Sequence, residues 1–271
     1  MNVSIDFFVE TALKNPALMN KILSSFITDL KALDQRVIFT FIYTSAGLSA
    51  IYYLKEPSAA SKILNPLGLE SLSILISDST RTNFYQLCWW VIIVTLFYLV
   101  IPALVIKFYW KENLTDYGLK LSGQEKILPI LAPVSLFLLP AITFLSATSA
   151  FASKYPFLQL KSEMASFSTL LIFWEILYFL QFFGLEFFFR GFLVQSLKPV
   201  FGMYSVLIMT VPYCMIHFGK PPLETFSAII AGLFLGWLSF RSGSIFIGLL
   251  LHCLIAFAMD LTALYHKGLF S

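Results

Sequence analysis

Long apolar stretches separated by polar segments constrain this chain more than any other feature of its sequence. A membrane helix needs roughly 20 mostly apolar residues, because it rises ~1.5 Å per residue and lipid offers free backbone groups no hydrogen-bond partner. Of the 271 residues, 58% are hydrophobic and 12% are charged, whereas soluble domains have about 25% charged residues. The candidate stretches are 37–54, 84–106, 127–147, 167–197, 204–217, 225–240 and 244–264. The sequence therefore predicts an all-α, polytopic integral membrane protein with about seven to eight transmembrane helices.

The charge balance argues against a nucleic-acid partner and predicts an orientation in the lipid bilayer. Eighteen Lys and Arg against 15 Asp and Glu give a net charge of +3, without the clustered basic stretch that is typical of nucleic-acid binding. Lys and Arg are in slight excess before the first predicted span and in the loop after the second. Because positive charge favours the cytoplasmic side, we expect a cytoplasmic amino terminus.

The sequence divides into three regions. Residues 1–36 are predicted to form an amphipathic membrane-surface helical segment, because apolar and charged residues separate at helical spacing. Residues 37–166 hold the N-terminal transmembrane helices and polar loops, and residues 167–271 hold a group of ionisable residues within apolar stretches. In the first region the apolar residues are Ile22, Phe26, Leu30 and Leu33, opposite Lys21, Asp29 and Lys31.

Ionisable residues inside the predicted helices of the third region are the main functional signal. Each costs about 2.5 to 3.5 kcal/mol to insert, so it needs a partner, a water-filled cavity or a task. Glu186 and Arg190 are four residues apart and can form an ion pair on one helix face, while His217 and His252 are two of only three histidines. A carboxylate and two imidazoles can activate a water and stabilise an oxyanion. A proton relay and a purely structural ion pair remain alternatives.

The order and spacing of these residues resemble the CAAX prenyl endopeptidase and bacteriocin-processing (CPBP or Abi) family of intramembrane proteases. Glu186-Phe-Phe-Phe-Arg190-Gly191 is similar to the latter part of the family motif Glu-Glu-x-x-x-Arg. Tyr213-x-x-x-His217 is similar to Phe-x-x-x-His, and His252 to the histidine of His-x-x-x-Asn. The resemblance covers about residues 167–260 and marks residues 167–271 as a CPBP-like catalytic helical core.

The resemblance implies a catalytic role for each matching residue. His217 is the expected water activator, Glu186 and Arg190 the supporting pair, and His252 the oxyanion donor. Leu185 stands where the family has its first glutamate. Ala256 stands where the family has asparagine.

Neither Leu185 nor Ala256 can take a proton or donate a side-chain hydrogen bond. Three replacements are open. Glu186 itself can reach the water, Glu175 can line the cavity, or Asp260 can supply the missing polar group opposite His252.

A metal ion is a further option. Glu186, His217 and His252 provide one carboxylate and two imidazoles, a ligand set that a divalent catalytic metal such as zinc accepts with a water position left open. The sequence lacks a His-Glu-x-x-His helix, however, and a metal-free water mechanism suits the resemblance equally well. Metal dependence therefore stays open at this point.

The resemblance predicts an intramembrane peptidase with metalloprotease-like residue types. Its expected partners are the lipid bilayer and a membrane-associated or lipidated peptide or protein, such as a prenylated CAAX-like substrate. Two alternatives remain: a catalytically inactive relative that binds a membrane partner or peptide, and a small membrane transporter or proton relay.

Overall fold

A computed structural model describes residues 15–78, 82–121, 128–159 and 167–268. These ranges form helices joined by turns, with no strand in them, which confirms the all-α class for the described residues. In chain order the helices are α1 (Pro16–Ala32), α2 (Gln35–Leu54), α3 (Pro57–Leu64), α4 (Glu70–Ser77), α5 (Phe84–Tyr109), α6 (Leu131–Ser146), α7 (Ser149–Ala152), α8 (Phe167–Glu186, continued through Phe187–Leu193 and Val194–Phe201), α9 (Tyr204–Met215), α10 (Pro222–Ser242) and α11 (Phe246–His266).

The chain divides into two compact units, Met1–Tyr43 and Thr44–Ser271. In the first, α1 begins where Asn15 accepts a hydrogen bond from the Leu18 N–H at 3.2 Å, and Pro16 occupies the first helical position. Both features are typical of helix starts. Ile22 and Phe26 are more than half exposed on α1. A position along the membrane surface remains a prediction for this helix.

Five helices are long and apolar enough to cross a membrane. They are Gln35–Leu54, Phe84–Tyr109, Thr169–Phe201, Pro222–Ser242 and Phe246–His266. Each overlaps one of the predicted stretches, so the sequence located these spans correctly. The chain is thus a multi-pass integral membrane protein by the length and composition of its helices.

The predicted count of seven to eight spans is not supported by the residues that the structure describes. The stretch 127–147 contains α6, of 16 residues, and the stretch 204–217 contains α9, of 12 residues; residue 127 lies outside the described residues. At ~1.5 Å per residue these helices are about 24 and 18 Å long, short of the ~30 Å hydrocarbon layer. By length and composition, five helices of the described residues are therefore candidate spans.

The long helix α8 runs through the part of the bundle that holds the predicted site. Its Phe187–Leu193 segment has π geometry, in which hydrogen bonds join residues five apart and the turn widens. Four phenylalanines of this segment are at most 1% exposed, and Tyr98 of α5 stacks on one of them with ring centroids 4.9 Å apart. They are Phe187, Phe188, Phe189 and Phe192. Apolar packing thus surrounds the wide turn.

A polar loop between α5 and α6 packs against the same wide turn. Trp110 stacks on Phe192 with ring centroids 5.5 Å apart and nearly parallel planes. The Gly118 carbonyl accepts a hydrogen bond from the Ile245 N–H at 3.1 Å. The Tyr117 carbonyl lies so close to Gly191 that a Cβ at position 191 would overlap it. The loop therefore ties the π segment to the start of α11.

Candidate active site

Glu186 and Arg190 form the buried centre of the candidate site. Both side chains are 0% exposed, and Arg190 Nη1 lies 3.2 Å from Glu186 Oε1. The Ser239 hydroxyl of α10 donates to the Arg190 carbonyl at 3.0 Å, which gives a carbonyl of the wide turn a side-chain partner. Opposite charges in contact offset part of the cost of removing both from water. The ion pair predicted from the four-residue spacing is present.

His252 of α11 lies directly against Glu186. Its Nδ1 is 2.6 Å from Glu186 Oε1, and its ring stacks on Phe182 of α8 with centroids 5.2 Å apart. A carboxylate oxygen accepts hydrogen bonds, so Nδ1 carries the proton in this contact. Gly248, one turn earlier on α11, leaves the space that the second carboxylate oxygen of Glu186 occupies. The packing of α11 on α8 thus fixes the carboxylate from two sides.

His217 lies just beyond the end of α9, in the turn that leads to α10. Its Nδ1 donates to the Tyr213 carbonyl at 2.8 Å, because a carbonyl can only accept. Burial, with a smaller contribution from the charge of Lys220, lowers the pKa of His217 to about 3. The ring is therefore neutral near pH 7, with a lone pair on Nε2.

Tyr213 joins these residues, and the sequence singled it out only as part of a motif. Its hydroxyl is 3.0 Å from His252 Nε2, and the Arg190 guanidinium carbon lies 3.9 Å from the centre of its ring. The His217 ring meets the Tyr213 ring at an angle, with centroids 4.8 Å apart. The buried glutamate, the arginine and both histidines are thus connected through contacts to one tyrosine. The sequence signal for this role was the hydroxyl of Tyr213, at a position where the family motif has phenylalanine.

Two other buried acids lie outside this cluster. Asp260 is fully buried and accepts a hydrogen bond from the Trp174 indole N–H at 2.8 Å. Glu175, next to Trp174 on α8, is 9% exposed. The structure records no hydrogen bond or ion pair from either acid to Glu186, His217 or His252 among the described residues. The hypotheses that Asp260 or Glu175 replaces a missing catalytic group gain no support from these contacts.

The two positions that depart from the family motifs are apolar and buried. Leu185 is 5% exposed and Ala256 is 3% exposed. Ala256 belongs to an apolar cluster with Trp174 and Tyr178. Neither side chain has a polar atom, so any catalysis depends on the polar side chains of the other site residues.

A second polar cluster lies where α10 begins. Lys220 Nζ is 2.6 Å from Glu224 Oε1 and donates to the Tyr155 hydroxyl at 3.1 Å. The same hydroxyl donates to Glu224 at 2.7 Å. Glu224 lies in the first helical turn, where a negative charge is favourable. These contacts anchor the turn that carries His217 to the loop after α7.

The arrangement of the histidines does not fit the proposed metal ligand set. Both ring nitrogens of His252 have hydrogen-bond partners, Glu186 at Nδ1 and Tyr213 at Nε2. Within the described residues, no group of three or more His, Cys, Asp or Glu side chains is placed to hold a metal ion. A zinc site formed by Glu186, His217 and His252 would therefore require at least one of these hydrogen bonds to break.

Comparison with known families identifies the region that carries the site. Residues 167–258 match the family described as "Type II CAAX prenyl endopeptidase Rce1-like". The match covers 92 of the 271 residues and includes all four predicted site residues. It supports the resemblance to the CPBP family that the motifs indicated. No curated protein and no solved structure matches the chain.

Proposed function

We propose that this CPBP-family chain is an intramembrane peptidase that hydrolyses a peptide bond of a membrane-associated or prenylated, CAAX-like substrate. The matched family model suggests this class of activity. The observation that carries the proposal is the contact of 2.6 Å between buried Glu186 and His252, two residues on different apolar helices. A charged group and an imidazole meeting inside a membrane bundle are typical of a functional site.

In the proposed reaction, Glu186 and His217 activate one water. Glu186 Oε2 has no hydrogen-bond partner in the described part of the chain, so it can accept a hydrogen bond from that water. His217 Nε2 takes a proton as the water oxygen bonds to the substrate carbonyl carbon. The tetrahedral oxyanion then collapses, the C–N bond breaks, and His217 returns the proton to the leaving amine.

Arg190 and His252 support Glu186 in this proposal. Both contact Oε1, which keeps the carboxylate charged and leaves Oε2 for the water. A buried carboxylate without such partners would tend to take up a proton. The pair therefore maintains the charge state that the mechanism requires.

The proposal predicts that His217→Ala lowers peptide hydrolysis by about 10²- to 10⁴-fold, the usual contribution of a positioned general base. The assay uses purified protein in detergent with an internally quenched farnesylated peptide that ends in a CAAX sequence. His266→Ala is the matched control, because His266 is exposed at the end of α11. Full activity of His217→Ala would refute the assignment.

Glu186→Ala is a second test and should also abolish cleavage. This change leaves Arg190 buried without its carboxylate, which typically costs about 3–5 kcal/mol of stability. Circular dichroism and thermal melting therefore accompany the assay. His217→Ala keeps the proposal testable if the glutamate variant does not fold.

A catalytically silent member of the family is the second candidate function. The apolar environments of Leu185 and Ala256 favour it, because the usual glutamate and asparagine are missing. Such a protein would bind the farnesylated peptide in a fluorescence-anisotropy titration without cleaving it. Turnover by the unmodified protein would eliminate this candidate.

A further inference from the structure

We propose that Tyr213 is a positioning residue that fixes the protons on both site imidazoles. Its backbone carbonyl lies against Nδ1 of His217, which leaves the lone pair of that ring on Nε2, whereas its hydroxyl lies against Nε2 of His252. The two histidines thus have different tasks, and one tyrosine sets the difference. The consequence for catalysis rests on the proposed function, but the proton positions do not.

The contact to His217 determines which of its nitrogens can act as a base. The Tyr213 carbonyl lies 2.8 Å from Nδ1 and has only lone pairs to offer, so the imidazole proton resides on Nδ1. The neutral ring then presents an unprotonated Nε2. This arrangement is the tautomer that can accept a proton from water.

The contact to His252 has the opposite effect. Glu186 accepts the Nδ1 proton of His252, so a neutral ring has a lone pair at Nε2. The Tyr213 hydroxyl is buried and needs an acceptor. It therefore donates to this Nε2 over 3.0 Å.

The surroundings of the Tyr213 ring hold the hydroxyl in place. The ring is 1% exposed and packs against the Arg190 guanidinium and against Phe189 at 5.4 Å between centroids. A cation on an aromatic face is attractive, especially away from water. The hydroxyl therefore has little freedom to leave His252.

This assignment changes the role that the resemblance gives to His252. Both of its nitrogens are engaged by the protein, so the resting imidazole has no N–H available for a substrate oxygen. His252 instead connects the Glu186 carboxylate to the Tyr213 hydroxyl in one hydrogen-bonded chain. His252 therefore orients Glu186, and the Tyr213 hydroxyl forms the other end of this series of hydrogen bonds.

Tyr213→Phe tests the proposal, because it removes only the hydroxyl and retains the ring and the carbonyl. Nitrogen NMR of protein labelled with ¹⁵N-histidine in detergent micelles reports the proton positions, and the chain has three histidines. We expect the Nε2 signal of His252 to shift while both signals of His217 stay in place. We also expect kcat to fall about 2- to 10-fold, the rate equivalent of one lost neutral hydrogen bond, with KM unchanged.

Tyr98→Phe is the matched control, since Tyr98 is also buried and stacks on Phe188 outside this series of hydrogen bonds. It should leave all histidine signals and kcat unchanged. The proposal is overturned if Tyr213→Phe leaves the His252 Nε2 signal in place, or if kcat is unaffected while that signal shifts. Absence of hydrolysis by the unmodified protein would refute the proposed function alone, because the NMR measurement needs no substrate.

Discussion

Gly248 offers the sharpest test of the site geometry, because it has no side chain at the point where α11 passes the Glu186 carboxylate. A Cβ added at position 248 would lie 2.5 Å from Glu186 Oε2 and 3.3 Å from its Cδ. Ordinary contact distance is about 3.5 Å, so the carboxylate or the helix must move by roughly 1 Å. The carboxylate is 0% exposed and held at Oε1 by His252 and Arg190, which leaves it little room.

The expected effect of Gly248→Ala is therefore on catalysis more than on folding. A displacement of about 1 Å can cost on the order of 10²-fold in rate, equivalent to roughly 2.7 kcal/mol in the barrier. Alanine also favours helix by up to about 1 kcal/mol over glycine, which opposes any general weakening of α11. Measurement of kcat/KM on the quenched farnesylated peptide, together with a thermal melt, separates the two effects.

Gly184→Ala is the control for this change. Gly184 lies two residues before Glu186 on α8, and a Cβ there would meet its nearest atom, Tyr98 Cβ, at an ordinary 3.5 Å. It gains the same helix preference without displacing the carboxylate, so its kcat/KM should match the unmodified protein. If Gly248→Ala is as active as Gly184→Ala, the inference that Gly248 makes room for Glu186 is wrong.

Three further predictions follow from the same geometry. Gly191→Ala should lower the melting temperature or prevent folding, because its Cβ would overlap the Tyr117 carbonyl, a backbone atom that cannot turn away; an unchanged melting temperature would contradict this. On acidification, kcat/KM should fall only well below pH ~6.5, the usual pKa of free imidazole. The reason is that the pKa of His217 is lowered to about 3, and protonation of its Nε2 removes the base. A fall of kcat/KM at about pH 6.5 would argue against His217. Hydrolysis should persist in excess EDTA, since both nitrogens of His252 are engaged by the protein; a loss that zinc restores would reopen the metal hypothesis.

Membrane insertion and the main helices were predictable because they depend on local composition. Each of the five long helices coincides with an apolar stretch, since lipid requires long runs of apolar residues whatever their neighbours are. The Glu186 and Arg190 pair was predictable for a similar reason, because residues four apart lie close on any helix. The number of spans was not, because α6 and α9 are apolar without being long enough.

The remaining geometry of the site depends on contacts between helices that are distant in sequence. The sequence identified His252 as a candidate, but the packing of α11 on α8 brings it within 2.6 Å of Glu186. The same packing gives Asp260, which the sequence offered as a polar group opposite His252, a hydrogen bond from the Trp174 indole. The contacts of Tyr213 with both histidines and with Arg190 likewise depend on how the helices pack. Local patterns specify which residues lie in the membrane, and the packing of helices against one another decides which of them meet.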